Sequence, residues 1–117
     1  MELVIDKTTT DGALVIHVNG ELDVYTAPRL KDALSEGALQ GHRSLVVDLT
    51  RVGFLDSTAL GVLVGGQKQM AAEAVQLSLV ITDPNLAKIF RITGFDGVFE
   101  IYSSVAEAID RGQAAAD

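Results

Sequence analysis

The sequence predicts an α/β fold: one mixed β-sheet of about five strands, with parallel central pairs, packed against about four α-helices. Three observations predict it. An Asp11-Gly12 turn joins two short strand-like segments near the start. Apolar runs of strand length then alternate with stretches of helical period. The run Leu45-Val46-Val47-Asp48-Leu49 is nearly all apolar, as a parallel strand covered on both faces must be. A hairpin followed by strand–helix alternation gives the order β-β-α-β-α-β-α-β-α.

The elements follow in order. Leu3-Val4-Ile5 opens the first strand, which trails through Thr8-Thr9-Thr10 into the turn. The second runs from Ala13 to Asn19 and closes at Asn19-Gly20, with Leu14, Ile16 and Val18 on one face and Val15 and His17 on the other. Thr26 is placed to cap a helix whose first turn holds Pro28. Leu30, Ala33 and Leu34 form its apolar stripe, and the stretch from Gly37 to Gly41 ends it. The strand over Leu45 to Leu49 runs into a short turn at Arg51-Val52-Gly53. A long apolar helix begins near Ser57 and continues to about Ala72. Gln76 to Ile81 is the next strand. Asp83-Pro84 is an N-cap followed by the first helical position, Leu86, Ile89 and Phe90 are that helix's inward face, and Gly94 suits its C-terminal stop. Val98 to Ile101 is a short last strand. Ser104 and Glu107 have the spacing of a capping box, with Val105, Ala108 and Ile109 turned inward. Residues 1–112 are expected to form one domain, and a frayed tail is expected from Gly112, with 113–117 flexible.

Composition narrows the function. The chain has 117 residues, 48% of them hydrophobic and 21% charged, the balance of an ordinary globular domain. Aromatics are only 5%, so the core is expected to be aliphatic. The net charge of −7, with no basic run, argues against nucleic acid and against an anionic membrane surface. Cysteine is absent, which removes disulfides, thiolate nucleophiles and zinc-finger spacing. The first residues lack a signal peptide's basic and apolar parts, and the apolar run from Ala59 to Gly66 is too short to span a bilayer. A cytoplasmic protein is the expectation.

The segment Phe54-Leu55-Asp56-Ser57-Thr58-Ala59-Leu60-Gly61 carries the most chemistry. It puts a serine hydroxyl where a strand's exit meets a helix's first turn. Free backbone N–H groups and the helix dipole favour an anion there. Asp56 or Ser57 is the helix N-cap; if Asp56 takes that role, the Ser57 hydroxyl is left free. Strand–serine–helix is also the arrangement of serine hydrolases, but Leu55 and Ala59 stand where G-x-S-x-G needs glycine. The two histidines, His17 in an early strand and His42 in a loop, suit surface positions better than that of a base. Gly61 to Lys68 fails the phosphate-loop pattern because Gln67 occupies the lysine position. It fits a buried helix whose small residues allow close packing. Glu21 and Asp23 lie in a loop with no third ligand nearby in sequence, a poor basis for a metal. Loops at one edge of a parallel sheet cluster, so Asp23 is expected near Ser57.

With these residues in hand, the chain resembles the STAS-domain anti-sigma factor antagonists, also called anti-anti-sigma factors. The resemblance covers essentially the whole chain. It rests on Gly20-Glu21-Leu22-Asp23 with Ala27-Pro28, on Val46-Val47-Asp48-Leu49, on Phe54 to Gly61, and on Phe90-Arg91-Ile92-Thr93-Gly94. It implies the STAS fold and a bacterial regulator of transcription that is not itself an enzyme and needs no cofactor or metal. It implies that the unmodified protein binds an anti-sigma factor serine kinase of the histidine-kinase-like ATPase fold and frees a sigma factor. Phosphorylation at Ser57, with Thr58 as runner-up, would end that binding, and a PP2C-type phosphatase would restore it. Asp23, Tyr25, Thr26, Asp56, Ser57, Thr58 and Gly61 match the family's partner surface. Ala59 departs from the glycine often found there, which bears on partner fit and kinase access. The alternative within the same fold is a scaffold or ligand-sensing module of a larger assembly, in which Ser57 is only a cap.

Overall fold

The computed structural model describes residues 3–116. Within them, five strands form one sheet in simple sequence order. Strands β1 (Val4–Thr10) and β2 (Ala13–Leu22) are an antiparallel hairpin, while β3 (Ser44–Leu55), β4 (Gln76–Val80) and β5 (Glu100–Tyr102) join β2 in parallel. Helices α1 (Ala27–Leu39), α2 (Ser57–Ala72) and α3 (Pro84–Thr93) make the parallel crossovers, and α4 (Val105–Ala116) ends the described chain. The turn between β1 and β2 has Asp11 and Gly12 both at positive φ, as the Asp-Gly signal requires.

The alternation along β2 and β3 divides the core between two faces. Leu14, Ile16, Val18, Leu45, Val47 and Leu49 face α1, α2 and α3 in the larger cluster. Ala13, Val15, Val46 and Val80 face Ala108 and Ile109 of α4 in the smaller one. Because each parallel strand is added on the same side of the last, the strand order never reverses. No switch-point crevice forms, and the functional edge is made by the loops after the strands.

Several expected boundaries move, each for a local reason. β2 continues past Asn19-Gly20 to Leu22, and β3 runs straight through Arg51-Val52-Gly53, where a turn was expected. The two extensions pair with each other across register shifts between His17 and Asn19 and between Gly20 and Glu21, with Gly20 at φ +133°. Bulges absorb the polar residues that looked like chain breaks. α1 does end within the expected stretch, at Leu39, with the chain breaking at Gly41, φ +77°; Gly37 itself is still helical, and since a Cβ there would lie 2.8 Å from Leu45 Cδ2, this glycine lets the helix press on the sheet. Val98 and Phe99 are not strand. Their N–H groups donate to the Phe95 carbonyl, closing a 3-10 turn over Phe95–Gly97, so β5 starts at Glu100. The tail expected from Gly112 is helical through Ala116, because Gly112 is buried against Ser44; Asp117 lies outside the described residues.

Candidate functional site

The site is built on the paired ends of β2 and β3. Leu22 and Leu55 are register partners, and both are buried. The Asp56 N–H donates to the Leu22 carbonyl at 3.0 Å. That one bond sets the loop after β2 beside the start of α2, so the Asp23 and Ser57 segments adjoin as the parallel pairing predicts.

Asp56 is the N-cap of α2. It has an extended backbone (φ −97°, ψ 179°), and its Oδ1 accepts the Ala59 N–H at 2.9 Å. Ser57 is therefore relieved of capping. It is the first helical residue, it is exposed, and among the described residues none hydrogen-bonds to its hydroxyl. Thr58 and Gly61 are exposed on the same helix, while Ala59 is fully buried with its methyl in the core. The expectation of a helix with small residues for close packing holds for Gly66, whose Cβ would stand 2.8 Å from Leu34 Cδ1 on α1. Gly61 and Gly65 instead face open space.

The neighbouring loop is held rigid by its own polar groups. Asp23 Oδ1 accepts the N–H groups of Tyr25 (2.9 Å) and Thr26 (3.0 Å). The Thr26 hydroxyl does not cap α1, as the sequence suggested. It turns back to accept the Asp23 N–H at 2.9 Å and donate to the Glu21 carbonyl at 2.8 Å. The Thr26 N–H, with smaller help from Tyr25 and the Thr26 hydroxyl, holds the Asp23 carboxyl below its ordinary pKa against some desolvation. The result is a loop that thrusts Tyr25 into solvent, 87% exposed.

Two further apolar residues line this edge: Val24 (54% exposed) in the loop and Phe54 (49%) near the end of β3. They were not singled out from sequence. Phe54 had a signal, since it lies between the inward positions Val52 and Leu55 on a strand that ends at the site. Exposed aromatic and aliphatic groups bordered by polar ones are what a protein-binding surface offers.

The histidines stand apart from Ser57. His42 precedes β3 and Ser57 follows it, so the length of that strand separates them. His17 is engaged elsewhere, with Nδ1 2.8 Å from Asp48 Oδ2 and Nε2 3.1 Å from Thr8 Oγ1. This group too was missed from sequence. The signal was Asp48 itself, a charge inside an otherwise apolar strand, which demands partners. Burial is the largest single influence on Asp48 and opposes its charge, but the hydroxyl and N–H of Thr50 together with His17 outweigh it and hold the pKa below 3.8. Among the described residues no group of three or more His, Cys, Asp or Glu is placed to share a metal ion, and no helix is long and apolar enough to cross a membrane.

Comparison with known proteins agrees with this architecture. The family model for the STAS domain matches residues 4–108. The chain is 35% identical over 101 residues to the anti-sigma-B factor antagonist of Staphylococcus aureus, covering 86% of this chain and 94% of that protein. It superposes on the crystal structure of an anti-sigma factor antagonist from Mycobacterium paratuberculosis with a TM-score of 0.88 at 28% identity, covering 96% and 95% of the two chains. It also matches the phosphorylated form of the Bacillus cell fate determinant SpoIIAA, with a TM-score of 0.70 at 25% identity and coverage of 94% and 98%.

Proposed function

The chain belongs to the STAS domain family, with the anti-sigma factor antagonists as its relatives, and from that premise we propose that it is a phosphorylation-controlled antagonist. Unmodified, it docks on an anti-sigma factor serine kinase of the histidine-kinase-like ATPase fold through the edge formed by Asp23, Tyr25, Thr26, Asp56, Ser57, Thr58 and Gly61. Docking occupies the kinase and frees the sigma factor in the cytoplasm. The kinase transfers a phosphoryl group to Ser57, the complex separates, and a PP2C-type phosphatase restores the starting form.

One observation carries this reading: Asp56 does the capping, so the exposed Ser57 hydroxyl is free of any structural duty. A phosphate there brings about −1.5 to −2 charges to the first turn of α2. The helix dipole tolerates that charge, so the fold survives it. A docked partner does not. Desolvation of that charge in the contact, and repulsion from like charge that the partner brings against it, weaken the complex by several kcal/mol, and each 1.4 kcal/mol is about tenfold in affinity. That a solved relative exists in a phosphorylated form supports a switch of this kind.

The test is incubation with the cognate kinase and ATP, with the modified residue mapped by mass spectrometry. Label is expected on Ser57, absent in Ser57→Ala and retained in Thr58→Ala. Ser57→Asp is expected to bind the kinase at least about a hundredfold more weakly. Full labelling of Ser57→Ala, or tight binding by Ser57→Asp, would overturn the proposal. A stable complex indifferent to phosphorylation would point to the scaffold role.

A further inference from the structure

The sheet face opposite α1 to α3 carries a second polar group, on the strands at its β1 side, beyond the residues that α4 covers. Thr8 on β1, His17 on β2 and Asp48 on β3 form a connected chain. Asp48 Oδ2 lies 2.8 Å from His17 Nδ1, and His17 Nε2 lies 3.1 Å from Thr8 Oγ1. An ionised carboxylate only accepts, so Nδ1 carries a proton, and in the neutral imidazole Nε2 presents its lone pair to the threonine hydroxyl. Asp48 is itself fixed, because its Oδ1 accepts the Thr50 N–H at 3.0 Å and the Thr50 hydroxyl at 2.7 Å. Hydroxyl, imidazole and anchored carboxylate stand in the order that activates a nucleophile. A cleft of about 600 Å³ opens on the group, and Thr8 itself is exposed.

We propose that Thr8 is an acyl-accepting site for activated, uncharged acyl groups, independent of the Ser57 switch. The Thr8 Oγ attacks the acyl carbon as its proton passes to His17 Nε2. The bond to the leaving group breaks, the leaving group departs with the electron pair, and His17 returns the proton to solvent. The product is a threonine ester. Asp48 is a positioning residue that fixes the imidazole tautomer. Arg51 lines the cleft and faces the negative charge that grows on the acyl oxygen, while the Asp6 and Asp48 carboxylates disfavour anionic donors. The ester accumulates because attack on an aryl ester expels a stable phenolate, whereas hydrolysis must expel the poorer threonine alkoxide.

The experiment treats the full chain with p-nitrophenyl acetate and follows intact mass, nitrophenolate release and peptide maps. One acetyl per chain is expected on Thr8, released by neutral hydroxylamine as an ester and so distinguished from an amide on Lys7. Thr8→Val abolishes that label, Thr8→Ser keeps it, and Thr9→Val, which changes the hydroxyl on the other face of β1, leaves it unchanged. His17→Gln slows acylation by about a hundredfold or more. Asp48→Asn slows it as well and shifts the His17 imidazole nitrogen resonances toward the other tautomer, with the urea midpoint measured alongside to separate this from unfolding. Ester label that persists in Thr8→Val, label confined to amines, or a wild-type rate in folded His17→Gln would overturn the proposal.

Discussion

At the scale of single residues, the site depends on a division of labour between two neighbours. Asp56 satisfies the helix and Ser57 is left to the partner. Asp56→Ala is therefore expected to lower stability by about 1 kcal/mol, and Asp56→Asn by much less, because an amide oxygen still caps. Urea unfolding checks this. Ser57→Ala should stay within about 0.5 kcal/mol of wild type, since the hydroxyl has no hydrogen-bond partner among the described residues. Asp48 makes the opposite case, a side chain whose charge the fold does use. Its folded pKa lies below the unfolded one, so its contribution is full above the unfolded value and disappears as pH falls through the folded value. The stability difference between wild type and Asp48→Asn should hold near neutral pH and shrink below about pH 4. A pH series of urea midpoints gives that curve. The Asp56-Ser57 pair was readable because caps and strand exits have short-range signatures. The Thr8–His17–Asp48 chain was not, because its members come from three strands and meet only once the register is set.

At the scale of elements, helix α2 shows two kinds of glycine. A Cβ at Gly66 would meet Leu34, whereas one at Gly61 or Gly65 would have nothing within 4 Å among the described residues. Replacing Gly65 with Ala should raise stability by up to about 1 kcal/mol, the usual helix difference. Gly66→Leu should lower it and loosen α1 from α2, and thermal unfolding of the two variants side by side gives opposite shifts. The order of elements was legible because each strand and helix carries its own period and stop signal. The lengths of β2 and β3 were not. Their last stretches interrupt the apolar pattern with polar residues and glycine (Asn19-Gly20-Glu21 and Arg51, Gly53), and they are strand only because each supplies the other's hydrogen bonds across the bulges. The start of β5 was hidden for the same kind of reason. Val98 and Phe99 have strand-like side chains, but their N–H groups are spent on the turn at Phe95.

At the scale of the whole molecule, the proposed switch asks nothing of the core. Ser57 is at the rim, α2 is anchored by Ala59, Leu60, Leu63, Gly66 and Met70, and added charge at the first turn faces solvent. Hydrogen exchange across the sheet should therefore be the same in wild type and Ser57→Asp, even as partner binding is lost. The salt response then separates the two sources of that loss. Repulsion across solvent is screened, and raising ionic strength from about 0.1 M to about 1 M shortens the screening length from about 10 Å to about 3 Å. Desolvation of a carboxylate pressed into a contact is not relieved in this way. High salt is expected to recover about tenfold or less of the affinity lost by Ser57→Asp, leaving most of the defect in place. Full recovery would make the switch a long-range field effect of a chain already at net −7, and Ser57 would then need only to be near the partner, not beneath it.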